Sequence, residues 1–409
     1  MQPPRLFVLA VLANALMCVQ LPAQEPVQTG NQAPASSQLG NTPALDDAQL
    51  ALGWLSLFDG ESLSGWQPVS QANWQVEKGE IRVSDGEKGL LRTTTQFDDF
   101  ELELEYQSGD RTNSGVFLRT SPQPIDVNLD CYELNIAHRM DHKFPTGSLV
   151  NRVATDTDFP TGQWCRLRVT ANGPRIKVWI DEKLAVEYVD PKPLGRGFIG
   201  LQYNSGAIAF RNIRLRPLNV PEMKLTSALA GWSQANKMAS EFSVTERGEL
   251  KVVNGRGQLE TTGQYADFIF SMRCRTSAPG LNSGVFFRCL PGELMNGYES
   301  QIQNQYRDAD RTQPVDCGTG GIFNRVSARR VNADDQQWFS KTIITTGPHI
   351  SVWVNGYQVT DWTDQRAANP NPRNGRRLTA GSIIIQGHDP TTDILFKEIR
   401  VRELADRGK

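Results

Sequence analysis

Phe100-Glu101-Leu102-Glu103-Leu104-Glu105-Tyr106 is the stretch that decides the fold. Apolar and acidic residues alternate without interruption. A period of two is the signature of a β-strand with one buried and one solvated face. Further along, Lys177-Val178-Trp179-Ile180 is shorter and more apolar, as a central strand would be. Val352-Trp353-Val354, Asn355-Gly356 and Tyr357-Gln358-Val359 read as a hairpin, because Asn-Gly accepts the positive φ of a type I′ turn. Asn172-Gly173-Pro174 and Thr346-Gly347-Pro348 mark turns one strand earlier. The 35 Gly and 23 Pro among 409 residues supply many such turns. Strands at this spacing, with no helical pattern between them, predict an all-β chain of antiparallel sandwiches, each a jelly roll.

The chain also repeats itself. Gln96-Phe97-Asp98-Asp99-Phe100 recurs as Gln264-Tyr265-Ala266-Asp267-Phe268. Asn113-Ser114-Gly115-Val116-Phe117-Leu118-Arg119 recurs as Asn282-Ser283-Gly284-Val285-Phe286-Phe287-Arg288. Tyr132-Glu133 answers to Tyr298-Glu299, Gln163-Trp164 to Gln337-Trp338, and Ile213-Arg214-Leu215-Arg216 to Ile399-Arg400-Val401-Arg402. The order is kept and the spacing drifts only through turn-rich insertions. This is a tandem duplication, expected as one domain over 51–218 and a second over 225–405, with Pro217 to Pro221 in the linker.

Composition narrows the function. With 43 Lys+Arg against 45 Asp+Glu, the formal charge of −2 gives no bulk attraction to nucleic acid or an anionic membrane. The basic run Arg373-Asn374-Gly375-Arg376-Arg377 lacks interleaved aromatics and reads as a solvated loop, so no nucleic-acid partner is expected. Met1 to Ala23 reads as an export signal, with Arg5 ahead of the apolar run Leu6 to Ala13. That run is too short to span a bilayer, and no later segment is longer, so the mature chain is expected to be periplasmic or extracellular without an integral membrane segment. Cys18 follows Met17, which is larger than the residue a lipidation site wants there. Residues 24–50 are expected as a flexible tether. Cys131, Cys165, Cys274, Cys289 and Cys317 form no CxxC pair, which argues against zinc; one or two disulfides remain open in an oxidising compartment.

Both units resemble the 3-keto-disaccharide hydrolase domain family, also described as 3-keto-glucoside 1,2-lyase or 3-keto-glucal hydratase domains. The second unit carries Gly231-Trp232, Asp267-Phe268, Asn282 to Arg288, Gly297-Tyr298-Glu299-Ser300-Gln301-Ile302, Thr319-Gly320-Gly321, Gln337-Trp338, Val352 to Gly356, and Gln386-Gly387-His388 before Phe396. The first carries Phe58-Asp59-Gly60, Gly65-Trp66, Asn113 to Arg119, Tyr132-Glu133, Gly195 to Gln202 and Phe210 to Ile213. The resemblance implies a concanavalin-A-like sandwich and a sugar substrate, a glycan or small glycoside. It names no cofactor. The first unit departs from the pattern: Asn135 stands for Gln301 and Asn204 for His388. If the glutamine and histidine are needed, that unit binds without turning over.

Cleavage of a 3-keto-glucoside by removing the acidified C2 proton and eliminating at C1 needs a base, a proton donor for the leaving oxygen and a group to hold the enolate. Ordinary glycosidases use two flanking carboxylates instead. Glu299 is the first catalytic candidate. Strand period places Glu299, Gln301 and Gln303 on one face, either a sugar-binding surface or simply a solvated one. His388, in the loop Gly387-His388-Asp389-Pro390, is a candidate acid or base. Arg288 is a candidate for holding the enolate, or an ion pair at a strand end. Tyr298, Gln301, Gln303 and Asn282 are candidate substrate contacts, Asn282 alternatively a turn-former. Arg119, Glu133, Asn135 and Asn204 are their counterparts in the first unit.

Two metal patterns are weak. His138 and His142 flank Asp141 in a Pro- and Gly-containing loop, and Asp308, Asp310 and Asp316 lack an EF-hand pattern, so no metal site is assigned. The paired tryptophans, Trp66 and Trp232, Trp164 and Trp338, Trp179 and Trp353, could stack on sugar rings, but recurring at strand positions they are expected in the core. The rival to an enzyme is a lectin-like, non-catalytic carbohydrate-binding module.

Overall fold

The computed structural model describes residues 44–138, 142–234 and 237–404. The expected export signal and the tether up to residue 43 lie outside them. The end of the expected tether is helical. Asp46 accepts from Gln49 N (2.8 Å) while Gln49 Oε1 accepts from Asp46 N (3.0 Å), a capping box that starts helix Asp47–Leu52. Gly53 at φ 86 ends it.

Each half is a sandwich of two antiparallel sheets. In the first, a five-stranded sheet runs in space Trp66–Pro68, Gly89–Thr93, Phe198–Ser205, Asn113–Thr120, Tyr132–Ala137. Against it lies a larger sheet built on Trp164–Asn172, Phe100–Ser108 and Ile208–Pro217. The second half repeats the order. Its five-stranded sheet is Trp232–Gln234, Gly257–Thr261, Ser382–Gly387, Ser283–Cys289, Tyr298–Ile302. Its seven-stranded sheet includes Asp393–Glu403, Phe268–Thr276, Phe339–Thr346, His349–Val354 and Tyr357–Thr363. Leu102, Leu104, Tyr106, Val116 and Leu134 fill the first interior, and Phe270, Met272, Val285 and Ile385 the second.

The Asn-Gly hairpin forms as the sequence predicts: Asn355 and Gly356 sit at φ 47 and 72, joining Val354 to Tyr357. The two large sheets differ in how they face water. Phe100–Ser108 keeps its glutamates outward, paired with Arg166, Arg211, Arg214 and Arg216. The corresponding strands of the second half are buried on both faces, because the first half and the helix cover them. Trp353 Nε1 donates to Ser56 O (3.1 Å), Arg329 pairs with Asp59, Thr95 Oγ1 and Ser351 Oγ lie 2.6 Å apart, and Arg273 holds Asp47. Ile269, Ile344, Trp353 and Leu404 thereby join the core of the first sandwich.

Trp66, Trp232 and Trp353 are buried as expected, whereas Trp164, Trp179 and Trp338 lie half-buried on outer faces under Arg211, Arg168 and Lys397. All five described cysteines are buried and unpaired, so neither disulfide left open by the sequence is formed among them. Among the described residues, no helix is long and apolar enough to cross a membrane.

Candidate functional site

The site is built by three neighbouring strands of the second five-stranded sheet. Tyr298–Ile302 alternates inward Ser300 with outward Glu299 and Gln301, and lies beside Ser283–Cys289 in the register Gly284↔Gln301 and Phe286↔Glu299. Gly284 has no side chain for a reason. A Cβ there would stand 2.8 Å from Glu299 Oε1 and 3.2 Å from Gln386 Oε1, so its absence gives the carboxyl its place. Glu299, Gln301, Asn282, Phe286, Gln386 and His388 line a hollow of about 300 Å³ together with Arg256, Arg373, Met295 and Phe323. A smaller recess shares Glu299, Phe323 and Arg373.

The groups in this hollow are chemically distinct. Burial pushes the Glu299 carboxyl up to about 7, against the opposing pull of Arg373, His388 and Lys341. It is therefore an acid that keeps its proton close to neutrality. His388 Nδ1 lies 2.8 Å from Asp389 Oδ2, a contact in which the carboxylate can only accept, and the ring also lines the hollow. Gln301 Nε2 donates to Asn282 Oδ1 (2.7 Å) and Gln386 Nε2 to Met295 Sδ (3.2 Å). The Oε1 of each amide is buried and accepts no hydrogen bond from the described residues, so the wall of the hollow holds two unpaired acceptors. Arg373 bonds Met295 O and lies over the Phe286 ring, at 5.8 Å from its centroid.

The sequence reading thus brings Glu299, Gln301, Asn282 and His388 together. It misplaces three others. Arg288 is fully buried away from the hollow: it sits at a β-bulge with φ 49, which turns the side chain inward to Ala266 O, Arg377 O, Gly347 O and the Asp267 carboxylate. The arginine is a tie between loops. Tyr298 is a core residue, stacked on Phe287 with its hydroxyl between Asp364 and Arg377 N. Gln303 lies beyond the end of the strand at Ile302, where the period of two no longer holds, and its Oε1 accepts from Gln305 N. Arg373 is the reverse case, read as solvated loop and found at the site. Met295, Phe323 and Arg256 carried no signal in the sequence, and Phe286 only its place in the repeated run Asn282 to Arg288. Gln386 did, in the quoted Gln386-Gly387-His388.

In the first sandwich the same register holds, Gly115↔Asn135 and Phe117↔Glu133, but the chemistry is reduced. Glu133, its proton affinity raised by burial, accepts from Gln202 Nε2 (3.0 Å), and Asn135 Nδ2 is turned to Phe144 O. Arg119 repeats the Arg288 bulge at φ 49 and bonds Asp98 O, Gly173 O, Leu194 O and Asp99. Asn204 supplies an amide where His388 supplies an imidazole, and Leu90, Phe117 and Cys131 form an apolar patch. The loop from 364 to 381 that brings Arg373 is replaced by the short connection 190–197.

Among the described residues no group of three His, Cys, Asp or Glu side chains is placed to hold a metal ion. Asp310 bonds Thr312 within its own turn, and Asp141 lies outside the described residues.

Tandem β-sandwiches, the second with a hollow lined by a carboxyl, an imidazole and two amides, suit a carbohydrate-active protein. The chain belongs to the 3-keto-alpha-glucoside-1,2-lyase-like domain family, whose model matches residues 53–216 and again 226–402. It is similar to a 3-keto-disaccharide hydrolase of Bacteroides thetaiotaomicron, 24% identical over 262 residues that cover 48% of this chain and 90% of the relative. Solved structures with likeness to it include a candidate glycosyl hydrolase of Parabacteroides distasonis (TM-score 0.37, 17% identity, 43% of this chain and 98% of that one). A carbohydrate binding module from Bacillus subtilis matches with TM-score 0.32 and 18% identity over 37% of this chain and 95% of its own.

Proposed function

We propose that the second sandwich cleaves 3-keto-glucosides by elimination at C1 followed by hydration, and that the chain is exported through Met1 to Ala23 to do so. The observation that carries this reading is one hollow holding a carboxyl that retains its proton near pH 7 and an imidazole whose Nδ1 is held by Asp389. A carboxyl raised by burial beside an imidazole gives the hollow an acid and a partner to act as base. His388 Nε2 takes the C2 proton, and the electron pair moves to the C3 oxygen, opposite the Arg373 guanidinium. The enolate collapses, the C1–O bond breaks, and Glu299 gives its proton to the leaving oxygen. Water then adds at C1 as the Glu299 carboxylate takes one of its protons, and His388 returns its proton to C2. The net change is hydrolysis. Gln301 and Gln386 supply the polar wall beside the ring, and Phe286 and Phe323 offer it apolar faces.

The first sandwich, without the imidazole and the Arg373 loop, binds glycan and does not turn it over. Purified protein incubated with a 3-keto-glucoside in D₂O tests the reading. Free aglycone or sugar should form with deuterium at C2, and Glu299→Gln and His388→Asn should each lose about 10²–10⁴-fold in rate. Wild-type rates in both variants, or saturable binding with no product, would overturn it; the second outcome is that of a carbohydrate-binding module.

A further inference from the structure

Lys341 lies on Phe339–Thr346, in the sheet opposite the hollow, and is wholly buried. Its side chain crosses the interior and its Nζ donates to Ser300 O (2.7 Å) and Gln301 O (2.9 Å), the two residues that follow Glu299. Gln301 O also accepts from Gly320 N (2.9 Å). No carboxylate pairs with this ammonium among the described residues, and a buried charge without a counter-ion is costly.

The fold does not require that charge. In the first sandwich Leu167 pairs with Leu104 as Lys341 pairs with Met272, and Leu134 pairs with Val116 as Ser300 pairs with Val285. Leu134 and Leu167, both fully buried in the first core, thus stand where the second sandwich has Ser300 and Lys341, the sandwich that carries the imidazole. Ser300 Oγ is itself buried without a hydrogen bond among the described residues.

We infer that Lys341 is a positioning residue for the candidate site: from beneath the sheet it fixes the carbonyls of the strand bearing Glu299 and Gln301 and sets a positive charge behind the Glu299 carboxyl. The inference rests on Glu299 acting as the proton donor. Burial presses the Lys341 ammonium down to about 7, against the pull of Cys274, Cys317 and Glu299, so it exchanges its proton in the same range as Glu299. The other groups acting on Glu299 are Arg373 and His388, which favour its charged form, and Asp316, which opposes it.

Two measurements decide the matter. Lys341→Leu combined with Ser300→Leu recreates the pair that the first sandwich already packs. It should remain folded, lose about tenfold in kcat with little change in KM, and move the Glu299 limb of the pH profile upward by roughly half a unit or more. An unshifted limb with unchanged kcat overturns the inference. The second measurement needs no change at Lys341 and no turnover: ¹³C NMR of the Lys341 Cε should show its titration moved to lower pH in Glu299→Gln, since a neighbouring anion has been removed. An unmoved titration overturns the inference even if the enzyme is active. A moved titration in a protein that never turns over 3-keto-glucosides overturns the functional reading alone.

Discussion

Replacing Glu299 with glutamine should make the protein more stable while disabling the site. In the folded chain, burial raises this carboxyl from its ordinary 4.5 to about 7. The folded state then binds more protons than the unfolded one across that interval, so stability falls as pH rises. Its contribution is fully present below about pH 4.5 and is lost once pH passes about 7. The interval corresponds to about 3 kcal/mol at 1.36 kcal/mol per unit. Glutamine has the same shape and does not titrate. Unfolding by urea at pH 5, 6, 7 and 8 should therefore show the variant close to wild type at pH 5, then pulling ahead by about 3 kcal/mol at pH 8. In thermal melts that is about 10 °C for a sandwich of this size. Curves that stay parallel over the whole range would mean Glu299 titrates normally, and the case for it as a proton donor at neutral pH would fail.

Activity should follow the same group in the opposite sense to most carboxylates. The protonated form is required, so kcat should fall about tenfold per unit as pH rises above about 7, and that limb should vanish in Glu299→Gln. Gly284→Ala puts a Cβ 2.8 Å from Glu299 Oε1, where contact normally begins near 3.4 Å. The carboxyl must move by about half an ångström, and kcat should drop about tenfold while the strand stays intact by circular dichroism. Arg288→Met should leave the position of the pH limb unchanged and instead cost about 3–5 kcal/mol of unfolding free energy, because it strips Asp267 and three carbonyls of one buried partner. A kinetic defect with normal stability would return Arg288 to the site.

Much of the fold is written in short-range pattern. The alternation in Phe100 to Tyr106 shows a strand with one wet face, and the continuous apolar run Phe268-Ile269-Phe270 belongs to a strand whose second face is covered by the other sandwich. The internal repeat gives the two units, and the departures Asn135 and Asn204 mark the half with the poorer chemistry. For the site, period two put Glu299 and Gln301 on one face correctly. It failed at Gln303, where the strand had already ended, and at Arg288, where a bulge reversed the side chain.

Sequence alone, then, fixed the strands, the turns and the duplication, since each depends on residues a few positions apart. Only the folded chain decided which distant segments meet: Arg373 comes from a long loop, His388 from the end of another strand, and Lys341 from the opposite sheet. Their meeting depends on packing between sheets and on backbone direction at bulges and loops, and neither leaves a periodic trace in the residues themselves.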